Sequence, residues 1–149
     1  MLRLAAVLSF CLSFMAHSAP TEDHWGSPPS ADYGRAADLV ASAKYDEALP
    51  ILLDLADTTP GDADLFNLLG FTHRKMGDLD SAASYYQRAL RLSPDHRGAL
   101  AYQGELFLKR SDLPSAEANL ARLASLCPTG CQERDELTVA VANWKAARD

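Results

Sequence analysis

Proline recurs at an interval of 34 residues in this chain, at Pro60, Pro94 and Pro128. Two series of small residues keep the same interval: Ala48, Ala82 and Ala116, and Ala36, Gly70 and Gly104. Proline ends a helix because it lacks an amide donor and clashes with the preceding turn. A fixed period of this length, built from two helical segments, is typical of a solenoid of stacked helical hairpins.

The segment 65–94, LFNLLGFTHRKMGDLDSAASYYQRALRLSP, indicates how one unit folds. Gly70 and Ala82 are small, so the two helices of a hairpin can approach closely there. Gly77 tolerates the left-handed conformation that ends a helix. Larger side chains are expected to fill the space around this contact, namely Phe66, Leu69 and Tyr86.

These residues resemble the tetratricopeptide repeat (TPR) family, and the resemblance covers residues 29 to 128. The positions that carry it are Phe66, Leu69, Gly70, Gly77, Ala82, Tyr86, Ala89 and Pro94. His73 departs from the family pattern, which usually has an aromatic residue there. The resemblance implies an all-α fold, a right-handed α-α superhelix of three helical hairpins with a C-terminal capping helix.

Three repeats are predicted, at about 29–62, 63–96 and 97–130. Their helices are expected at 30–43, 46–58, 63–76, 80–92, 97–110 and 114–126. The segment 131–148 is not another repeat, but it has one apolar stripe at helical spacing. This stripe, which predicts a capping helix, comprises Leu137, Ala140, Val141, Trp144 and Ala147.

The N-terminal residues have the pattern of a secretory signal peptide, predicted at 1–18. Arg3 precedes an apolar run from Leu4 to Met15, which is too short to span a bilayer as a helix. Residues 19–29, APTEDHWGSPP, are predicted to form a disordered leader that precedes a TPR domain, which is expected at 30–148. We therefore predict an exported protein without membrane insertion after cleavage.

The formal net charge of the chain is -6. Removing residues 1–18 takes away Arg3 and no acid, which leaves 13 bases against 20 acids and a charge of -7. Nucleic acid is not an expected partner, because binding phosphates requires clustered lysine and arginine.

Two cysteines remain after cleavage, Cys127 and Cys131, in the sequence CPTGC. An even number of cysteines in an exported chain favours one disulfide bond, which would fix the cap to the last repeat. Two alternatives stay open for the pair, binding of a soft metal such as copper and thiol exchange. The surrounding LCPTGCQERDEL also resembles the end of small periplasmic TPR proteins of proteobacteria, which implies a periplasmic location.

Catalysis is not expected, because no histidine lies in a local pattern typical of nucleophilic catalysis. The glycines are dispersed and form no phosphate-binding loop. The sequence therefore predicts no enzyme, no resident metal and no cofactor.

In the TPR family the first helices of successive hairpins line a concave groove, so the resemblance implies a groove that binds a protein or peptide partner. Repeat register and proximity to the rim give the candidate residues of this groove: Tyr33, Asn67, Phe71, Arg74, Tyr102, Glu105 and Lys109. Family members that clamp a partner's terminal carboxylate have Lys and Asn where this chain has Tyr33 and Ala37. That cytosolic chaperone role is therefore not expected.

The main hypothesis is a non-catalytic adaptor, and two hypotheses of other classes remain. The first is a thiol or copper carrier that uses Cys127 and Cys131. The second is a self-associating structural subunit, since the outer face of the first hairpin could stack on a neighbour and form a weak homo-oligomer.

Overall fold

The computed structural model describes residues 30–148, so the predicted signal peptide and leader lie outside the described residues. The described part contains seven α-helices and no strand. The helices are α1 Ala31–Ala41, α2 Tyr45–Thr58, α3 Ala63–Met76, α4 Leu79–Leu92, α5 Arg97–Lys109, α6 Leu113–Leu126 and α7 Gln132–Ala146.

Local sequence signals set the helix ends. Asp62, Asp78 and Asp112 each accept a hydrogen bond from the backbone N–H three residues further on, and thereby cap α3, α4 and α6. The 34-residue prolines each follow the last helical residue of a hairpin by two positions, because α2, α4 and α6 end at Thr58, Leu92 and Leu126.

The turn inside each hairpin has a left-handed residue at the same repeat position. These residues are Ala43 with φ 57°, Gly77 with φ 89° and Ser111 with φ 60°. Only Gly77 adopts this conformation without the steric cost of a Cβ atom. The hairpin geometry is therefore kept even in the two repeats that lack the glycine.

The hairpins are the pairs α1–α2, α3–α4 and α5–α6, and each packs on the next. Ala48, Ala82 and Ala116 are all fully buried. A Cβ atom on Gly70 would lie 2.6 Å from the ring of Tyr86, so the glycine makes room for this tyrosine of α4. The recurrence of small residues therefore reflects recurring close contacts.

The first repeat differs from the second where it faces solvent. Asp32 and Arg35 occupy the positions of Phe66 and Leu69, and their side chains pair at 3.3 Å while both remain 64% exposed. Phe66 and Leu69 are fully buried. Among residues 30–148 no helix precedes α1 to cover this face, and polar residues replace apolar ones on it.

Helix α7 covers the open side of the third hairpin by packing on α5 and α6. Leu137 is fully buried against Gly104, where an added Cβ atom would lie 2.6 Å from the leucine side chain. The indole Nε1 of Trp144 donates to the carbonyl oxygen of Leu108 at 2.8 Å. Ala147 is exposed, so the buried stripe of this helix is shorter than the sequence predicted.

The prediction of an all-α repeat fold is confirmed, and each predicted helix begins and ends within two residues of the observed one. The largest differences lie at the end of α1, where the turn begins before Ala43, and at the end of α7. Within residues 30–148 no helix has both the length and the apolar character needed to cross a bilayer.

Candidate functional site

A cleft of about 380 Å³ lies between α1, α3 and α5, the first helices of the three hairpins. We call it the main cleft. Its lining residues are Ala37, Val40, Ala41, Tyr45, Asn67, Leu68, Phe71, Lys75 and Tyr102. Its size lies at the lower end of the range for ligand pockets, and most of its lining is apolar or aromatic, as is usual for such sites.

Two aromatic rings from neighbouring hairpins form one wall of the main cleft. The ring centroids of Phe71 and Tyr102 lie 5.0 Å apart with planes tilted by 56°. The ammonium nitrogen of Lys75 lies 5.2 Å from the Phe71 ring centroid, within range of a cation–π interaction. The cleft therefore combines an apolar surface with one cation and has no acidic side chain in its lining.

Asn67 supplies the amide group of the main cleft. Its Oδ1 is buried and accepts no hydrogen bond from any described residue. An unused buried acceptor is costly, because the atom has lost its hydration without gaining a partner. Rotation of this amide toward the cleft would offer a donor and an acceptor to a bound backbone.

Arg74 lies beneath the cleft and is only 4% exposed. Its Nη1 donates to Glu105 at 2.6 Å and its Nε donates to the Tyr86 hydroxyl at 3.2 Å. The guanidinium also lies 5.4 Å from the ring centroid of Phe71 and 5.5 Å from that of Tyr102. Its hydrogen bonds thus join α3 to α4 and α5.

Burial governs the protonation of the tyrosines around Arg74. Burial raises the pKa of Tyr86, although the nearby Arg74 charge acts in the opposite direction. Burial, followed by the carboxylates of Glu136 and Glu105, also raises the pKa of Tyr102. Both hydroxyls are therefore neutral near pH 7 and can act as hydrogen-bonding groups without adding negative charge.

Tyr33 lies at the other end of the first helices, outside the main cleft. It packs beside an apolar core to which helices α1 to α5 all contribute. Burial, together with the carboxylates of Asp64 and Asp62, raises its pKa to about 12. This end of the helices is acidic, in contrast to the end that carries Lys75.

A second cleft lies between α5 and α7, and we call it the distal cleft. It is lined by Glu105, Leu108, Lys109, Ala140, Asn143, Trp144 and Arg148. The Arg148 guanidinium lies 3.8 Å from the Trp144 ring. Glu105 is hydrogen-bonded to Arg74, so Lys109 and Arg148 are the cations of this cleft without a carboxylate partner among residues 30–148.

The structure thus separates the seven predicted groove residues into four locations. Asn67, Phe71 and Tyr102 line the main cleft, and Lys109 lies in the distal cleft with Glu105. Arg74 was predicted at the surface of the groove but lies beneath it, and Tyr33 lies at the acidic end. The use of this surface for binding stays a prediction.

Sequence reasoning missed Lys75, Leu68, Trp144 and Arg148 as cleft residues. Lys75 follows Phe71 by one helical turn and Arg148 follows Trp144 by the same step, so helical periodicity could have found both. The α7 residues were missed because this helix was interpreted only as a cap.

The sulfur atoms of Cys127 and Cys131 are within bonding distance, and their Cα atoms lie 5.9 Å apart, as disulfides require. Gly130 adopts φ 109° in the short loop between them. No three His, Cys, Asp or Glu side chains in the described part of the chain are grouped closely enough to hold a metal ion.

The histidines of the described residues form structural contacts. His73 Nδ1 lies 3.1 Å from Asp78 Oδ2, and its ring stacks on Tyr85 at a centroid distance of 5.1 Å. His96 Nδ1 accepts from the Ala99 N–H at 3.1 Å, so His96 caps α5. Its Nε2 therefore carries the hydrogen that Asp64 accepts at 2.9 Å.

Comparison with known proteins identifies the repeats. The tetratricopeptide repeat family model matches residues 69–130, from within α3 of the second hairpin to the end of the third hairpin. Residues 69–130 belong to the tetratricopeptide repeat family. The first hairpin lies outside the matched residues, but it has a left-handed turn residue and buried small residues at the same repeat positions as the two matched hairpins.

One curated relative is the uncharacterized protein ycf37 of Pyropia yezoensis, which is 28% identical over 74 residues. The match covers 50% of this chain and 42% of that protein, so the chain spans less than half of the relative's length.

Several solved structures share the TPR fold. The type III secretion chaperone SycD of Yersinia enterocolitica, in complex with a peptide of the translocator YopD, has a TM-score of 0.68 and 20% identity. That match covers 79% of this chain and 92% of SycD. PcrH, in complex with the chaperone-binding region of PopD, has a TM-score of 0.69 and 19% identity, and the match covers 79% of this chain and 91% of PcrH. The first TPR of Spaghetti (RPAP3), bound to an HSP90 peptide, has a TM-score of 0.65 and 19% identity, and the match covers 74% of this chain and 87% of the Spaghetti chain.

Proposed function

We propose that this protein is a non-catalytic adaptor that binds an extended segment of a partner protein along its main cleft. The observation that carries the proposal is the main cleft itself, where apolar and amide side chains from three successive hairpins form one continuous surface. The SycD, PcrH and Spaghetti structures with this fold contain bound peptides or binding regions of other proteins, which supports the same mode here.

The chemistry of the main cleft suits a peptide better than a small metabolite. Phe71, Tyr102 and Leu68 offer apolar contact, while Asn67 can hydrogen-bond to a backbone amide of the ligand. An extended peptide presents both kinds of group in alternation. The lining carries one charge and no paired acid and base, so it offers no arrangement for general acid–base catalysis.

We also propose that the adaptor works in the bacterial periplasm. The signal-peptide pattern of residues 1–18 supports export. A disulfide between Cys127 and Cys131 would be stable in that oxidising compartment and would hold α7 against the third hairpin. Under this proposal the cysteines have a structural role, rather than that of a thiol or copper carrier.

The experiment is photo-crosslinking in living cells, with a photoreactive residue at Ala41 and mass spectrometry of the products. Ala41 is exposed and lines the main cleft, so a reactive group there does not disturb the core. Ala121 is an exposed alanine of α6 and is the matched control position on a second helix of a hairpin.

We expect a discrete protein adduct from position 41 and none from position 121. The substitution Ala41→Trp should abolish recovery of that partner by filling the cleft, whereas Ala121→Trp should not. Equal adducts from both positions, or unchanged recovery of the partner with Ala41→Trp, would show that the main cleft is not the binding site.

A further inference from the structure

We infer that the partner segment is an acidic peptide with an apolar anchor. The anchor fits the main cleft, and the acidic residues face cations at one edge of the two clefts. This inference rests on the proposed function and adds the chemistry of the ligand. It is carried by a contrast of charge between the whole chain and the cleft linings.

The whole chain is acidic, with a net charge of -6. The linings have the opposite sign. The main cleft contains Lys75 and no acid, and the distal cleft contains Lys109 and Arg148 with a single acid, Glu105. Glu105 is bonded to the buried Arg74, so its charge is compensated.

The cations are aligned because of how the hairpins stack. Lys75 lies in the last turn of α3, Lys109 ends α5 and Arg148 follows the end of α7. These three helices pack on one another in the order α3, α5, α7, so the cationic ends form one edge of the surface. We call this the basic edge.

The side chains of the basic edge are available to a ligand. Lys75 and Lys109 are exposed and form no ion pair with any residue in 30–148. Lysines near helix C-termini also interact favourably with the helix dipole. The dipole accounts for their position along the helix but not for their presence in the cleft linings. A segment with acidic residues would therefore be attracted and oriented by this edge.

The apolar part of the ligand is assigned to the main cleft. Val40, Leu68, Phe71 and Tyr102 form a surface that one aliphatic or aromatic side chain can cover. Binding energy at such surfaces comes mainly from buried anchors, while charges at the rim set orientation and association rate. The geometry thus points to one anchor beside a run of acidic residues, rather than to a uniformly acidic polymer.

The test begins with a phage-displayed library of random peptides, selected on residues 19–149 at low salt. We expect enrichment of peptides that combine Asp or Glu with a large apolar residue. The selected peptide is then synthesised with a fluorescent label, and its affinity is measured by anisotropy. Peptides with the acids changed to lysine, or the anchor changed to serine, should each bind at least ~10-fold more weakly.

Variants of the protein locate the binding. We expect Lys75→Glu with Lys109→Glu to weaken the selected peptide by ~10- to 100-fold, and salt at ~0.15 M to reduce the affinity of the unmodified chain. The control is Arg91→Glu with Arg122→Glu, which makes the same charge change on α4 and α6. It should change the affinity less than ~3-fold.

The outcomes separate this inference from the proposed function. If the selected peptides are neutral or basic and Ala41→Trp blocks their binding, the inference of an acidic ligand is wrong but the proposed adaptor function is supported. No enrichment of any peptide, either on residues 19–149 or on a chain that begins at residue 30, would count against both. Enrichment only on a chain that begins at residue 30 would indicate that residues 19–29, which carry acidic side chains, occupy the cleft in the longer chain. That result would overturn the inference that the ligand is a segment of another protein.

Discussion

The buried ion pair beneath the main cleft yields the most quantitative prediction. The change is Glu105→Ala, which removes the carboxylate that accepts from Arg74 at 2.6 Å. The arginine side chain is 4% exposed, so its charge stays in an environment of low polarity. Breaking a fully buried pair by removing one partner costs about 3–5 kcal/mol.

The cost here is smaller, for two structural reasons. The Glu105 side chain is 30% exposed, so water can reach the site that the carboxylate leaves. The guanidinium also keeps the Tyr86 hydroxyl as an acceptor, and the rings of Phe71 and Tyr102 as cation–π partners. We therefore expect a loss of about 2 kcal/mol in the free energy of unfolding, or about 6–10 °C in Tm.

The assay is urea unfolding followed by circular dichroism at the helix band, with a matched control. Asp95→Ala removes the partner of Arg122 in a surface pair at 2.9 Å, where both side chains are well exposed, and should cost less than about 0.5 kcal/mol. The triple variant Arg74→Met, Glu105→Leu and Tyr86→Phe should recover to within about 1 kcal/mol of the original chain, because apolar residues can replace a buried polar network when all its members are removed together. Equal losses for Glu105→Ala and Asp95→Ala would refute this reasoning.

Three further predictions concern packing, the disulfide and pH. Gly104→Ala should lower the free energy of unfolding by about 1–3 kcal/mol, because its Cβ would lie 2.6 Å from a side chain of α7. Gly34→Ala, which points into open space on α1, should raise the free energy of unfolding by about 0.5–1 kcal/mol. Urea unfolding measures both changes. Replacing both cysteines of CPTGC by serine should lower the free energy of unfolding by about 2 kcal/mol, because the disulfide no longer restricts the unfolded chain. Thermal unfolding of the original chain with and without reductant should show the same loss. Free thiols detected by titration in the isolated oxidised chain would contradict the disulfide. The raised pKa of Tyr33, about 12, favours its neutral form in the fold, so this stabilisation is complete below about pH 10 and is lost as the pH rises toward 12. Between about pH 9 and 11 the unfolding free energy should therefore fall less for Tyr33→Phe than for the original chain, and identical falls would contradict the assignment.

The repeat architecture was predictable because it depends on local properties that recur in the sequence. Proline and left-handed turn positions fix where helices end, and small residues mark where backbones approach. The structure places these features at Pro94, Gly77 and Ala82 in the expected sequence positions. The left-handed conformation of Ser111 was harder to predict from the sequence, because serine rarely adopts this conformation whereas glycine adopts it readily.

The candidate site was predicted only in part. Repeat register predicted Asn67 and Phe71 in the groove, proximity to the rim predicted Tyr102, and the structure places all three in the lining of the main cleft. It could not show that Arg74 is turned beneath that cleft, because the position of a long side chain depends on the partners available in three dimensions. Tyr86 and Glu105 lie on two other helices, and together they hold the guanidinium in the interior.

The sequence by itself therefore determined the period, the number of hairpins and the helix that follows them, since helix propensity, capping and side-chain size act within or between adjacent segments. Only the tertiary structure decided which side chains form the two clefts, and that Lys75, Lys109 and Arg148 share one edge. These arrangements depend on how successive hairpins stack, which brings together residues more than thirty positions apart in the sequence. Charge and burial at the clefts are properties of that stacking, and so they are not present in any single repeat.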